Sequence, residues 1–315
     1  MTEARAEEQA EVGTPPEGPE DLPPPDWKAI AKRSGKEFLD DDGMGLAQQV
    51  AYSSTLALFP TLIFVVGLFG LLGIYETLRE FLDVIAPDAI MEVLATVERN
   101  AEDNPTASLV AFALGALGAL WAASGAMGTV MKAVNRAYEI TDARPFWKKR
   151  LVAIVLCLAV GLVATGMLLL IVFGGPLGTA IAENAGLGGA FEWVWNLLRW
   201  PLVFVTVVLF FALVFYLAPD TTQRDWRWVS PGALMGAIGW LVLSALFALY
   251  VRFAGSYDET YGSLAAGIVL LLWLNYSAYA LIFGAELNSE ADRQADLRAA
   301  GGENAGLIPP GRRDR

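Results

Sequence analysis

The sequence predicts an all-α fold: a six-transmembrane-helix bundle with an N-terminal interfacial amphipathic helix and an outer helical cap. Three observations lead there. Of 315 residues, 55% are hydrophobic and only 18% charged, and the mean hydropathy of +0.45 lies on the membrane side of globular usage. Six apolar stretches are each long enough to cross a hydrocarbon core of about 30 Å at about 1.5 Å per residue. Lysine and arginine, finally, are divided unequally between the segments that join those stretches.

Residues 1–25 are rich in Glu, Pro and Ala. With no apolar run to fold around, they read as a disordered acidic tail, and they lack the basic start and apolar stretch of a signal peptide. From Trp27 to Phe38 the apolar residues Trp27, Ile30, Ala31 and Phe38 fall on one side of a helix, with Lys28, Lys32, Arg33 and Lys36 around the rest. Beside a span, such a helix is expected in the headgroup layer, attracting anionic lipid headgroups at about 1 kcal/mol per basic residue. The predicted spans are 50–74, 107–130, 150–174, 197–218, 231–252 and 263–286. The membrane domain is placed at 26–290, with 291–315 as a flexible cytoplasmic tail.

With both termini inside, the inner segments carry eighteen of the 22 Lys and Arg residues and the outer ones four. That bias sets the orientation. The net charge of −12 is largely a tail property, since twelve of the 34 acids lie in the first 42 positions. In the outer loop, Leu78, Phe81, Leu82 and Ile85 form one helical stripe, and Ile90, Val93, Leu94 and Val97 form another beyond Pro87. Two amphipathic helices meeting at a proline are expected to cap the bundle, as a lid or as simple packing.

The chain has no histidine and a single cysteine, Cys157. Serine-histidine, cysteine-histidine and histidine-metal sites are thereby excluded, and no intramolecular disulfide can form. No GxxxxGK[ST] signature is present, no large basic groove for RNA is visible, and no cofactor or metal is expected. The reading is of a non-enzyme that binds no nucleic acid.

Two C-terminal stretches, PGALMGAIGWLVLSALFALYV from Pro231 and YGSLAAGIVLLLWLNYSAYALIFGAELN from Tyr261, resemble the YihY/BrkB family. AYSSTLALFP ending at Pro60, the small-residue-rich second span leading to Asn135, Arg136 and Tyr138, and FYLAPD ending at Asp220 extend the likeness over roughly residues 27–290. The resemblance implies a bacterial cytoplasmic-membrane protein, loosely associated with envelope lipid movement. Members are often labelled "ribonuclease BN", but that activity belongs to an unrelated soluble metal-dependent hydrolase, and a nuclease of that type needs histidine beside its carboxylate ligands, which this chain does not have.

Ionisable groups within spans are costly, at least about 2.5 to 3.5 kcal/mol at the bilayer centre, so each is informative. Glu286 closes a helical row of Asn275, Tyr279 and Ile282. An Arg136 to Glu286 pair is one expectation, and separate snorkelling of each group to the interface is the other. Gln49 and Ser53 bring polar groups into the first span early, and Pro60 frees a backbone carbonyl for a cavity or a structural kink. Gln49, Ser53, Pro60, Asn135, Arg136, Asn275, Tyr279 and Glu286 are therefore the candidate polar-cavity or helix-coupling residues. Small residues in span two (Ala111, Gly115, Gly118, Ala122, Gly125, Gly128) and span five (Gly232, Gly236, Gly239) permit close helix approach. Trp195, Trp200, Trp226, Trp228 and Tyr257 read as interfacial anchors.

The leading functional expectation is movement of a lipid or other amphiphile across or within the membrane, with membrane lipids as partners. The alternative is a non-transporting membrane scaffold for envelope-assembly partners; envelope proteins or further copies of the chain are the other partners weighed.

Overall fold

The computed structural model describes residues 18–71, 105–172, 188–221, 230–253 and 264–299, together with residues 174, 175, 179 and 184. Among the described residues a 3₁₀ turn, Pro19–Asp21, precedes seven helices: α1 (Pro24–Asp40), α2 (Gly43–Leu71), α3 (Pro105–Ala137), α4 (Phe146–Val172), α5 (Gly188–Leu217), α6 (Pro231–Phe253) and α7 (Ala265–Ala299). The described residues contain no strand. Within α3 to α7, five segments are long and apolar enough to cross a membrane. The sixth crossing foreseen from the sequence falls on α2, which covers its predicted span as far as Leu71.

Neighbours in sequence are neighbours in space. Helices α2 to α7 each pack on the next, and α7 returns to α2, closing a ring that α7 also crosses to touch α3. The shared core gathers Leu46, Val134, Leu156, Val214, Ala237 and Ile282, one from each of the six helices.

Helix ends are set by local chemistry. Proline opens α1, α3 and α6, where its missing N–H costs nothing. Ser230 caps α6, its hydroxyl accepting from the Ala233 amide at 3.1 Å. Helix α3 ends with Glu139 at φ 54°. Behind it the Ile140 amide returns to the Asn135 carbonyl at 2.8 Å, a left-handed cap built without glycine.

Interhelical contact follows the small residues in α6, while parts of α3 stay open. A Cβ on Gly232 would collide with the Gly284 carbonyl and with Asn288, and one on Gly284 would lie 2.8 Å from the Gly232 carbonyl oxygen. The GxxxG pair of Gly232 and Gly236 thus serves internal α6–α7 packing. Reciprocal indole bonds reinforce that seam: Trp240 donates to Ser277 at 3.0 Å and Trp273 to Ser244 at 3.2 Å. Gly118 and Gly128 in α3, by contrast, face open space.

Helix α2 runs through Pro60, and just beyond it the Thr61 hydroxyl donates to the Ala57 carbonyl at 2.7 Å. Three expectations need adjustment. Residues 291–299, assigned to the tail, continue α7 as helix, because α1 packs along them. The apolar face of α1 is used for that packing: Ile30 is completely buried, and Trp27 lies against the cluster of Leu287, Ala291 and Ala295. Lys28 and Lys32 remain exposed, so only the basic side of α1 is left for a headgroup layer. Lastly, Arg136 pairs with Asp41 rather than with Glu286. The outer cap at 75–104, most of the acidic tail, and Trp226, Trp228 and Tyr257 lie outside the described residues.

Candidate functional site

Among the described residues, ion pairs gather at the end of the ring where α1, the α1–α2 turn and the C-terminal half of α7 meet. Both ends of the described chain therefore lie on one side of the bundle. Asn135, buried near the end of α3, organises a seam there. Its amide donates to the Met131 carbonyl at 2.8 Å, and its oxygen accepts from the Asp220 amide at 2.9 Å. Arg144 donates to the Ala218 carbonyl at 2.9 Å and pairs with Asp142 at 2.8 Å and Asp220 at 3.6 Å. Asp220 also accepts from the Ala143 amide at 2.9 Å. Burial raises the Asp142 carboxyl, but the Arg144 hydrogen bonds and charge, with Lys149, outweigh it and leave the group below the usual carboxylate range. The seam ties the α3–α4 connection to the end of α5, which accounts structurally for the FYLAPD segment.

Beside this seam opens a cleft of about 720 Å³ between the α1–α2 turn, α3 and the start of α4. Gln49, Lys132, Arg136, Asp41 and Arg150 are among its walls. The Arg136 guanidinium lies 3.0 Å from Asp41. Burial raises the Asp41 carboxyl, Arg136 opposes that, and Glu139 and Asp40 add to it, with a net upward result. Lys132 donates to the neutral Gln49 side chain at 2.8 Å. The Arg150 guanidinium lies over the Trp121 ring, 3.6 Å from its centre, and donates to the Trp121 carbonyl at 2.6 Å. That carbonyl is sixteen residues before the end of α3, about 24 Å along the helix. Arg150 itself is the fifth residue of α4, so its side chain reaches from the cation-rich end of the ring along α3.

A second polar region, next to the cleft, joins α1 to α7. Arg33 bonds Glu290 at 2.6 Å and Gln294 at 2.7 Å. Arg298 grips Asp26 with two nitrogens, one of them at 2.9 Å. The Arg298 hydrogen bond holds the Asp26 carboxyl below its ordinary range against the opposing effect of burial. Glu37 is raised, chiefly by burial and then by Glu290, Glu139, Asp41 and Asp40. Glu286 is fully buried at the base of this region, its Oε1 without a hydrogen-bond partner.

Of the eight residues singled out from the sequence, the cleft brings together Gln49, Asn135 and Arg136. Ser53 and Pro60 lie farther along α2, both half-buried. Tyr279 packs edge-on against Phe38 at 5.9 Å, while Asn275 is half-buried on α7. Sequence reading passed over Asp41, Lys132, Arg144 and Arg150. The last three had been counted only as orienting charges, and nothing in a one-dimensional pattern distinguishes an orienting lysine from one that lines a cleft. Among the described residues no group of three or more Cys, Asp or Glu side chains is arranged to hold a metal ion.

A ring of long apolar helices with charged groups collected at one end defines a multi-pass α-helical membrane protein. The sequence matches the family described as virulence factor BrkB over residues 34–307, and the chain belongs to that family. It is 31% identical over 257 residues to the ribonuclease-like protein YfkH of Bacillus subtilis (strain 168), covering 81% of this chain and 92% of YfkH. It is 26% identical over 265 residues to the UPF0761 membrane protein XAC0937 of Xanthomonas axonopodis pv. citri, and likewise to XOO3417 of Xanthomonas oryzae pv. oryzae. The aligned region covers 81% of this chain in both cases, and 59% and 58% of the two Xanthomonas proteins. No solved structure matches the chain.

Proposed function

We propose that this protein moves, or helps to move, a lipid or other amphiphile across or within the bacterial cytoplasmic membrane, with both termini in the cytoplasm. The observation that carries the reading is the cleft. It is a space of about 720 Å³ with both charged and apolar walls, bounded by helices that are otherwise apolar along membrane length. A soluble substrate needs no apolar approach, and a lipid tail alone needs no charges; an amphiphile uses both. The bias of Lys and Arg toward this end supports placing it in the cytoplasm.

The name of YfkH does not transfer readily. A nuclease whose metals are held by histidine and carboxylate together needs ligands that a chain without histidine lacks.

Reconstitution into liposomes containing a headgroup-labelled lipid tests the proposal. The expected result is faster exchange between leaflets than in protein-free vesicles, slowed when Gly128 in the cleft is replaced by Trp. Unchanged exchange across anionic, zwitterionic and neutral lipids would overturn it and favour the scaffold role.

A further inference from the structure

We infer that Lys132 and Arg150 form a binding site for the phosphate group of a membrane amphiphile, set against a side-chain-free stretch of α3. This deepens the amphiphile reading above and rests on it for the source of the ligand. The cleft holds four cations and four carboxylates, but they are not equally engaged. Arg136 is taken by Asp41, and Lys149 by Asp142 at 3.7 Å. On the acidic side, Asp40 pairs with Lys36 at 3.6 Å, Asp142 is bound to Arg144, and Asp42 lies against Gly45 in the first turn of α2. Lys132 and Arg150 have only neutral partners among the described residues, an amide oxygen and a backbone carbonyl. The Arg150 Nε is buried with no hydrogen-bond partner at all.

The two charges share one face of α3. Trp121, Gly125, Gly128 and Lys132 follow offsets of four, three and four, which stacks them along the helix. A Cβ on Gly125 would meet only the Arg150 guanidinium, at 3.8 Å, and one on Gly128 would meet nothing. From Gly125, beneath the guanidinium, to Lys132 is about 10 Å or two turns of α3, and along this row Gly125 and Gly128 leave the backbone bare. A phosphate group fits that description: it can take a planar guanidinium fork on one side and a point-charge ammonium on the other. Beyond Arg150 the same side of α3 continues through Trp121, Gly118, Leu117 and Leu114. Trp121, Leu117 and Leu114 are 63%, 66% and 65% exposed. Apolar surface leading away from an anion site is what an acyl chain would follow, and a free phosphate would have no use for it.

The test uses the full chain purified in a neutral detergent, with binding measured by calorimetry for four probes: dihexanoyl phosphatidic acid, dihexanoylglycerol, hexanoate and inorganic phosphate. Phosphatidic acid is expected to bind saturably and dihexanoylglycerol and hexanoate not to. Lys132→Gln with Arg150→Gln should weaken phosphatidic acid about tenfold or more. Lys132→Arg with Arg150→Lys should largely retain binding, and Arg252→Gln at the end of α6 should change nothing. Inorganic phosphate that competes fully would assign the site to a free anion and overturn the lipid source. Equal binding of dihexanoylglycerol, or full binding by a folded double-Gln variant, would overturn the site itself. Leaflet exchange in liposomes separates the two proposals. Loss of binding with exchange preserved removes the phosphate site alone, and intact binding without exchange removes the transport reading alone.

Discussion

The α1–α7 clasp and the neighbouring cleft are built from the same kinds of residue to opposite ends. In the clasp, Arg33 meets Glu290 and Gln294, Arg298 meets Asp26, and Ile30 closes the space between. Charges there are consumed in holding two helices together. In the cleft, Lys132 and Arg150 line the walls with only neutral partners among the described residues. The contrast teaches that charge content alone does not mark a site. What marks it is a cation that the fold could have neutralised, with aspartates close by, and did not.

The largest effects are expected at steric contacts, in the α6–α7 seam against the cleft. Gly232→Leu drives a side chain into the Gly284 carbonyl and Asn288 and should cost about 3 kcal/mol of stability. Gly128→Leu, with open space above it, should cost little, so a thermal-unfolding series in detergent should separate the two variants. Equal losses would mean that the cleft is not open.

Asn135→Ala comes next. It strands the Asp220 amide and removes the bond to Met131, for an expected loss of about 2 kcal/mol. Limited proteolysis should then cut first in the α3–α4 connection, near Asp142. Smaller still is the pair coupling in the clasp. A double-mutant cycle on Arg33 and Glu290 should yield about 1 kcal/mol, because Glu290 is buried and Arg33 is partly so. The same cycle on Lys132 and Gln49, exposed and without a carboxylate, should yield close to zero.

The smallest effect is in pH. Asp26 titrates below its ordinary 3.8, so its contribution to the clasp is complete above that value and fades as pH falls through the folded pKa. Glu37 is raised above 4.5, so its contribution is present at low pH and is lost as pH rises through the folded pKa. Hydrogen exchange of the α1 amides should therefore show Glu37→Gln better protected than the parent at pH 7 and little different at pH 4. Asp26→Asn should show the reverse ordering in pH, with its damage largest at pH 7.

Legibility in the sequence differed by scale. Six apolar runs of membrane length left helices as the only backbone solution, and α3 to α7 each overlay a predicted span, because lipid leaves no unpaired amide tolerable. Small residues at Gly232 and Gly236 announced close packing correctly, for their lack of a side chain acts directly on helix distance. Pairings were harder. Asn135 and Arg136 were flagged for their place at a span end, yet the partner of Arg136 proved to be Asp41, which a helical wheel for either span omits. The basic helix before the first span was visible as amphipathic, but what its apolar face would cover was not.

The order of spans, the clustering of cations at one end and the absence of histidine-based chemistry were thus fixed by composition and periodicity, which depend on each residue's own solvation. Which aspartate neutralises which arginine, and which cations are left over to line a cleft, depends on distances between helices far apart in sequence. Only closure of the ring brought α3 against α2 and α4 and folded α1 back onto α7, and with it the difference between charges that hold the molecule together and charges that remain available to bind.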